Sequence, residues 1–296
     1  MLTAPTLQAA RQWPDRPAIG ELTYAQLEAR VVATAAALPL QAGDVVALLG
    51  PASPDWVIAF HAATRLGATV LPLSTRWTER ELNDVLERSG ARLLLHAPEL
   101  APALGVEARP WPIGGPALHD VADGQPAARQ MLLVPTSGTT GRPKLVRLTW
   151  GAAHASAHAV NQVVGLRETD AWWGALPLFH VGGLGIMMRT ALAGARLVLA
   201  SRFAPEDLAG VTVASFVPTM LAATLDWLGD RPWPAELRVA MVGGAAIPPA
   251  LVARCPVALP SYGLTEACST LTLAPPGASA AVRASAGPPL PGVTLR

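Results

Sequence analysis

Apolar and polar positions alternate along this chain in blocks that read as strands followed by helices. Val45 to Leu49 is an apolar run of strand length. Ser53 then offers a cap to a helix from Pro54 to Leu66, with proline at its first position and Gly67 at its stop. Thr69 to Leu73 is a second strand. Thr78 with Glu81 forms a capping box that opens a helix ending at Gly90, and Arg92 to His96 is a third strand. An earlier helix, Tyr24 to Leu38, carries its own box in Thr23 and Gln26. Strand-helix alternation of this kind implies a parallel sheet with right-handed crossovers.

The stretch from Pro98 to Gln130 breaks the rhythm. It is rich in Pro, Gly and Ala and reads as a connection or as short irregular strands. A second series starts at Met131. Its strands are Met131 to Pro135, Ala171 to Ala175, Arg196 to Leu199, Val213 to Val217, Leu237 to Val242 and Val257 to Leu259. Helices fall between them at Gly151 to Val164, Gly183 to Ala193, Thr219 to Leu228 and Pro248 to Arg254. The expected fold class is therefore α/β, two stacked lobes with mainly parallel sheets, divided as residues 1–130 and 131–296. A loop leaving the first strand of the second lobe lies where open parallel sheets bind ligands, beyond the strand's carboxyl end.

Composition narrows the function. The 296 residues are 51% apolar and 15% charged, with formal net charge +1, so neither nucleic acid nor an anionic membrane surface is an expected partner. No apolar run reaches the roughly 20 residues of a membrane helix; Leu38 to Gly50 and Val181 to Leu199 come nearest and are interrupted by Pro, Gly, Asp or Arg. Met1 to Pro17 lacks the layout of a signal peptide. Two cysteines, Cys255 and Cys268, suit a reducing compartment and read as buried small apolar residues, so the expected location is cytoplasmic. His154 and His158 share a helix face but have no third ligand in view, and read as packing or solvated residues.

One feature of the charge count points to chemistry. Of the 22 basic residues 21 are arginine, and the single lysine, Lys144, closes the run Thr136-Ser137-Gly138-Thr139-Thr140-Gly141-Arg142-Pro143-Lys144. Glycines let backbone amides approach phosphate oxygens, hydroxyls donate to them, and a compact ammonium supplies charge. The pattern is not a Walker A loop, since Pro143 precedes Lys144 and Leu145 follows it. A nucleotide site, for ATP, is the first reading.

That nine-residue run resembles the signature loop of the adenylate-forming superfamily, which includes acyl-CoA synthetases and adenylation domains. Further stretches fall in the family's order: Pro177-Leu178-Phe179-His180, Gly243-Gly244-Ala245, Ser261 with Tyr262-Gly263-Leu264-Thr265-Glu266, and Ala286 to Gly292. The resemblance spans Thr23 to Arg296. It implies that the loop, from Thr136 through Gly141 to Lys144, grips the β- and γ-phosphates, that Tyr262 stacks on adenine beside Gly243, Gly244, Ala245, Ser261 and Gly263, that Thr265 bonds the α-phosphate, and that Glu266 holds Mg²⁺. His180 would orient the reacting carboxylate. By themselves, a histidine in an apolar run reads as core and a Thr-Glu pair as a helix start.

The segment from Pro177 to Arg189 is similar to that of the o-succinylbenzoate-CoA ligase group of menaquinone biosynthesis. A substrate of that group carries an aromatic ring and two carboxylates. Arg189, on an otherwise apolar helix, is the candidate partner for the second carboxylate; its alternative role is to serve the carbonyls of the helix end near Gly194. Gly182, Gly183 and Gly185 would make room for a ring, or allow close helix packing, and the resemblance also places Gly244 against the substrate. The resemblance thus implies ATP, Mg²⁺ and CoA as cosubstrates and cofactor, with a homodimer among the oligomeric states found in relatives. Family members continue past the point matching Arg296 into a ribose-binding Asp, a hinge and a small C-terminal lid domain with its own lysine. The expectation is an N-terminal core that binds ATP weakly and turns over negligibly by itself.

Overall fold

The structure, a computed structural model, describes residues 1–100, 104–112, 118, 120–136 and 142–295. Two large sheets organise it. The first has six strands in the order Lys144–Thr149, Gln130–Thr136, Thr69–Leu73, Val45–Leu49, Ala91–His96, Glu107–Pro110. All its pairings are parallel except the outermost, where Lys144–Thr149 runs antiparallel to Gln130–Thr136. The second has eight strands in the order Ser269–Leu273, Ala258–Leu264, Val239–Val242, Val213–Phe216, Ala171–Gly174, Arg196–Leu199, Pro17–Ile19, Leu22–Thr23. Its centre is parallel and both edges are antiparallel.

The α/β class and most expected elements are present. The capping boxes at Thr23/Gln26 and Thr78/Glu81 both form, and Ser53 accepts from the backbone amide of Trp56. The expected connection from Pro98 to Gln130 holds two short strands, Glu107–Pro110 and Gly124–Gln125. Sheet membership, however, cuts across residue 130. Gln130–Thr136, read as the opening strand of the second series, pairs with Thr69–Leu73 in the first sheet, while Pro17–Ile19 and Leu22–Thr23 close the far edge of the second. Periodicity reports that a segment is a strand; it carries no information on which sheet accepts it.

The core is continuous across this exchange. Trp56, Trp150, Trp172, Phe60 and Tyr24 are all fully buried, and one apolar cluster joins residues from both series. Tyr24, which opens the helix Tyr24–Ala37, ties that helix to the end of the helix Val181–Ala193: its hydroxyl donates to the carbonyl of Ala195 at 2.6 Å or of Thr190 at 3.0 Å. The exchange leaves the carboxyl ends of Gln130–Thr136, Val213–Phe216 and Val239–Val242 around one cleft, whose chambers include residues from each of these ends.

Candidate active site

The cleft consists of three adjoining chambers. The central one, about 440 Å³, is lined by His180 and Gly182 at the start of the helix Val181–Ala193, by Arg189 from the same helix, and by Gly243, Tyr262 and Thr265. It shares His180 and Thr265 with a second chamber of about 790 Å³, which reaches Thr136, Arg142 and Pro143. On the other side it shares Gly244, Ser261, Tyr262 and Gly263 with a third of about 500 Å³, which adds Ala245. Residues separated by more than a hundred positions in the chain therefore meet around one continuous space.

Of the expected phosphate loop, residues 137–141 (Ser137, Gly138, Thr139, Thr140 and Gly141) lie outside the described residues. Its two ends are described. Thr136 closes one strand and Lys144 opens the next, directly paired with it. Lys144 is exposed, and the strand it opens packs against the short 3-10 turn Thr265–Ala267 that carries Glu266. Lys144 and Glu266 each adjoin a residue of the second chamber, Pro143 and Thr265 respectively. The two distant motifs thus share one side of the molecule. The Thr-Glu pair starts no α-helix; it forms a single tight turn.

The two tyrosines have opposite environments. Tyr24 is core, whereas Tyr262 is 54% exposed between the central and third chambers, presenting an open aromatic face. Gly243 is required by a close neighbour, since a Cβ there would come within 2.5 Å of Ser261 Oγ. His180 opens to the cleft and touches the Phe179 ring, with centroids 4.6 Å apart. Partial burial of the imidazole, and then the nearby Arg76 guanidinium, hold its pKa below the usual histidine value, so it is neutral at pH 7.

Arg189 is the most informative side chain. It is 2% exposed, yet none of the ion pairs among the described residues involves it. Its Nη2 donates to Thr270 Oγ1 at 3.1 Å and lies 3.4 Å from Ser269 Oγ, while its buried Nε has no partner. The guanidinium carbon lies 5.6 Å from the centre of the Trp172 ring, and Trp172 is itself fixed by its Nε1 donating to Ser215 Oγ at 3.1 Å. Burial lowers its pKa to about 10, which leaves it charged at neutral pH. A buried cation without a counter-ion is costly. The helix end does not explain it: the side chain turns to Thr270 across the cleft, and Gly194 caps the helix with its own backbone.

The glycines divide. Gly182 lines the central chamber. Gly183 does not, contrary to its expected place in the substrate site: a Cβ there would strike the carbonyls of Pro177 and Leu176, so its role is close packing that lets the helix start against the preceding strand end. Gly185 leaves room for Arg189, whose Nη2 would be 3.1 Å from an added Cβ. His154 packs on Trp150 with ring centroids 5.5 Å apart.

Sequence reasoning missed Ser269, Thr270, Ser215 and Trp172, which hold Arg189 from segments up to 81 residues away. It also missed that Cys268 and Ser269, directly after the Thr-Glu turn, adopt φ of 58° and 95°. Left-handed backbone at non-glycine residues is strained, and such strain concentrates at functional sites. No local signal marks either feature, because both depend on what the chain meets across the cleft.

The AMP-binding enzyme family model matches residues 7–296. This chain belongs to the AMP-binding enzyme family. Its similarity to individual members of that family is considerable. It is 33% identical over 288 residues to the 2-succinylbenzoate-CoA ligase of Bacillus cytotoxicus, an alignment covering 90% of this chain and 59% of that protein. Among solved structures, o-succinylbenzoate coenzyme A synthetase of Bacillus subtilis in complex with ATP and magnesium ion superposes with a TM-score of 0.89 at 30% identity, covering 98% of this chain and 65% of that one. The same enzyme with the acyl-adenylate intermediate OSB-AMP gives 0.88 at 29%, covering 98% and 64%. The chain thus spans about three-fifths of the length of its curated relative. Among the described residues, no helix is long and apolar enough to cross a membrane.

Proposed function

We propose that the chain activates an aromatic dicarboxylic acid of the 2-succinylbenzoate type, using ATP to form an acyl-adenylate and then CoA to form the thioester, as a step of menaquinone biosynthesis. The observation that carries this reading is Arg189: a buried, charged guanidinium without a carboxylate partner among the described residues, facing the chamber lined by His180 and Thr265. A substrate carboxylate supplies the missing partner in bidentate form. The similarity to a 2-succinylbenzoate-CoA ligase supports the same substrate class.

In this reading the second carboxylate sits on Arg189 and the first lies by His180, at the opening between the central and phosphate-side chambers. The first carboxylate attacks the α-phosphorus of ATP, and the P–O bond to pyrophosphate breaks. The CoA thiol then attacks the acyl carbonyl and AMP leaves, the thiol proton passing to solvent. This chain's share is positioning and charge compensation. Tyr262 stacks on adenine, with Gly243, Gly244, Ala245, Ser261 and Gly263 around it. Thr265 donates to the α-phosphate. Thr136 and Lys144 face the β- and γ-phosphates. Neutral His180 donates one hydrogen bond and orients the carboxylate without competing with it for charge.

The donor set fits Mg²⁺. Glu266 offers an exposed carboxylate beside the Thr265 hydroxyl, and no group of three or more His, Cys, Asp or Glu that could cage a metal occurs among the described residues. One carboxylate completed by phosphate and water oxygens is how Mg²⁺ is commonly held; when bound it offsets the charge of the leaving pyrophosphate. We place the protein in the cytoplasm, consistent with its two free cysteines, with a homodimer as its assembly. The decisive test is pyrophosphate release over a panel of aromatic mono- and dicarboxylic acids, followed by thioester formation with CoA. The assay is run on this chain and on the longest product of its gene. Release that is strongest with ortho-dicarboxylic acids supports the reading; release driven equally by benzoate-type monocarboxylates removes the role given to Arg189.

A further inference from the structure

The helix Glu79–Ser89 is built rigidly. Its N-terminus carries the Thr78/Glu81 capping box, its C-terminus ends in left-handed Gly90, and Leu82, Val85 and Leu86 bury its apolar face against the first sheet. Its polar face meets the far end of the phosphate-side chamber. There Arg88 uses its two terminal nitrogens separately. Nη1 donates to Asp84 Oδ2 at 2.9 Å, and Nη2 donates to the carbonyl of Pro143 at 2.8 Å. The second oxygen of Asp84 faces Arg142 Nη2 at 3.3 Å. Asp84, Arg142 and Pro143 all line that chamber.

These contacts join residues 55 and 58 positions apart, and they close on the two residues immediately before Lys144. Pro143 has no amide hydrogen, so its carbonyl is its only backbone group that can be anchored. Lys144 makes no ion pair among the described residues and carries a flexible four-carbon stem. Where its ammonium reaches is therefore set by where the backbone delivers it. We propose that Asp84 and Arg88 are positioning residues for the polyphosphate side of the cleft, holding Arg142 and Pro143 so that Lys144 is presented to the β- and γ-phosphates. The inference rests on the nucleotide reading above, and it adds residues from a helix that none of the phosphate motifs contains.

A brace of this kind acts on ATP and leaves AMP untouched, because AMP lacks the two outer phosphates. The experiment measures the Kd of Mg²⁺-ATP and of AMP for the chain and for Arg88→Gln, Asp84→Ala and Lys144→Ala, with thermal midpoints as a folding control. Arg88 is about one-third exposed, so its replacement leaves the core intact. The expected result for Arg88→Gln is ATP binding weakened about five- to tenfold, the worth of one ordinary, partly exposed hydrogen bond, with AMP binding within about twofold and an unchanged midpoint. In the Lys144→Ala background the same substitution adds little, since two residues acting through one contact are not additive.

The proposal is overturned if ATP and AMP weaken together, if neither changes, or if Asp84→Ala tightens ATP. The last result would mean that the arginines act as free charges and need no brace. A wild-type chain that shows no ATP binding refutes the nucleotide reading itself and the brace with it, whereas a Lys144→Ala variant that binds ATP as the wild type does refutes the brace and leaves the nucleotide reading standing. The two failures are therefore distinct.

Discussion

Replacing Arg189 by methionine tests the acyl side of the cleft most directly. Methionine keeps the length of the stem and removes only the charged fork. In the free protein the guanidinium is buried, with its Nε unpaired and one good hydrogen bond, to Thr270. The lowering of its pKa from 12.5 to about 10 by burial puts the cost of holding that charge at roughly 3 kcal/mol. The bond to Thr270 and the contact with Trp172 return about 2 kcal/mol together. Arg189→Met should therefore leave stability unchanged or raise it by about 1 kcal/mol, which is about 2 °C in the thermal midpoint for a chain of this size. Ligand binding should move the other way. Leaving a substrate carboxylate unpaired in a largely desolvated site costs about 2–3 kcal/mol, at the lower end for such pairs because the chamber opens past His180 and Tyr262. That corresponds to a KM for 2-succinylbenzoate raised about 30- to 150-fold, with ATP binding and the use of monocarboxylic aromatic acids little altered. The assay is pyrophosphate release against both acid types, with differential scanning fluorimetry on the same samples. A variant that uses the dicarboxylate as well as the wild type does would refute the assignment. So would a fall of several degrees in midpoint with both acids lost together, because Arg189 would then be a strut of the core.

Three further outcomes follow from the same geometry. Gly183→Ala drives a Cβ into the backbone carbonyls of Pro177 and Leu176, and should cost about 1–3 kcal/mol in a urea titration, whereas Gly182→Ala meets only the flexible tip of Leu176 at 3.1 Å and should cost less than 1 kcal/mol while narrowing the chamber. His154 is held to a pKa of about 4 by burial and then by His158, below its unfolded value of 6.5. The unfolded chain therefore binds the proton first, so stability is full above pH 6.5 and is lost as pH falls towards 4, by up to roughly 3 kcal/mol. His154→Phe, which keeps the stack on Trp150, should flatten that part of the stability-pH curve, and an unaltered slope would contradict the argument. Arg76→Gln should raise the His180 pKa as read by NMR titration, since the Arg76 charge is its second cause of lowering after burial; no upward movement would show that burial alone sets it.

How much of this was legible in the residues can be judged from particular positions. The capping boxes at Thr23 and Thr78 fixed two helix starts, because a cap is satisfied within four residues and needs nothing from elsewhere. The motif residues Thr136, Tyr262 and Thr265 line one cleft, and Lys144 and Glu266 flank it. Their side-chain chemistry, an ammonium, hydroxyls, an aromatic face and a carboxylate, is a property of residue type and was available before any fold was known. Arg189 was legible as an anomaly, a charge on an apolar helix, but its two roles could not be separated along the chain.

What the tertiary structure decided is everything that depends on long-range pairing. It sent Gln130–Thr136 into the first sheet and Pro17–Ile19 into the second, since hydrophobic period alone does not choose a neighbour. It showed that Gly183 serves a carbonyl contact and does not line the central chamber, that Arg189 turns to Thr270 and away from its helix end, and that Arg88 reaches Pro143 across 55 residues. Residue types and local spacing set which groups are present and how each short element begins. Packing, which compares each side chain with partners far along the chain, set which of those groups face one another across the cleft.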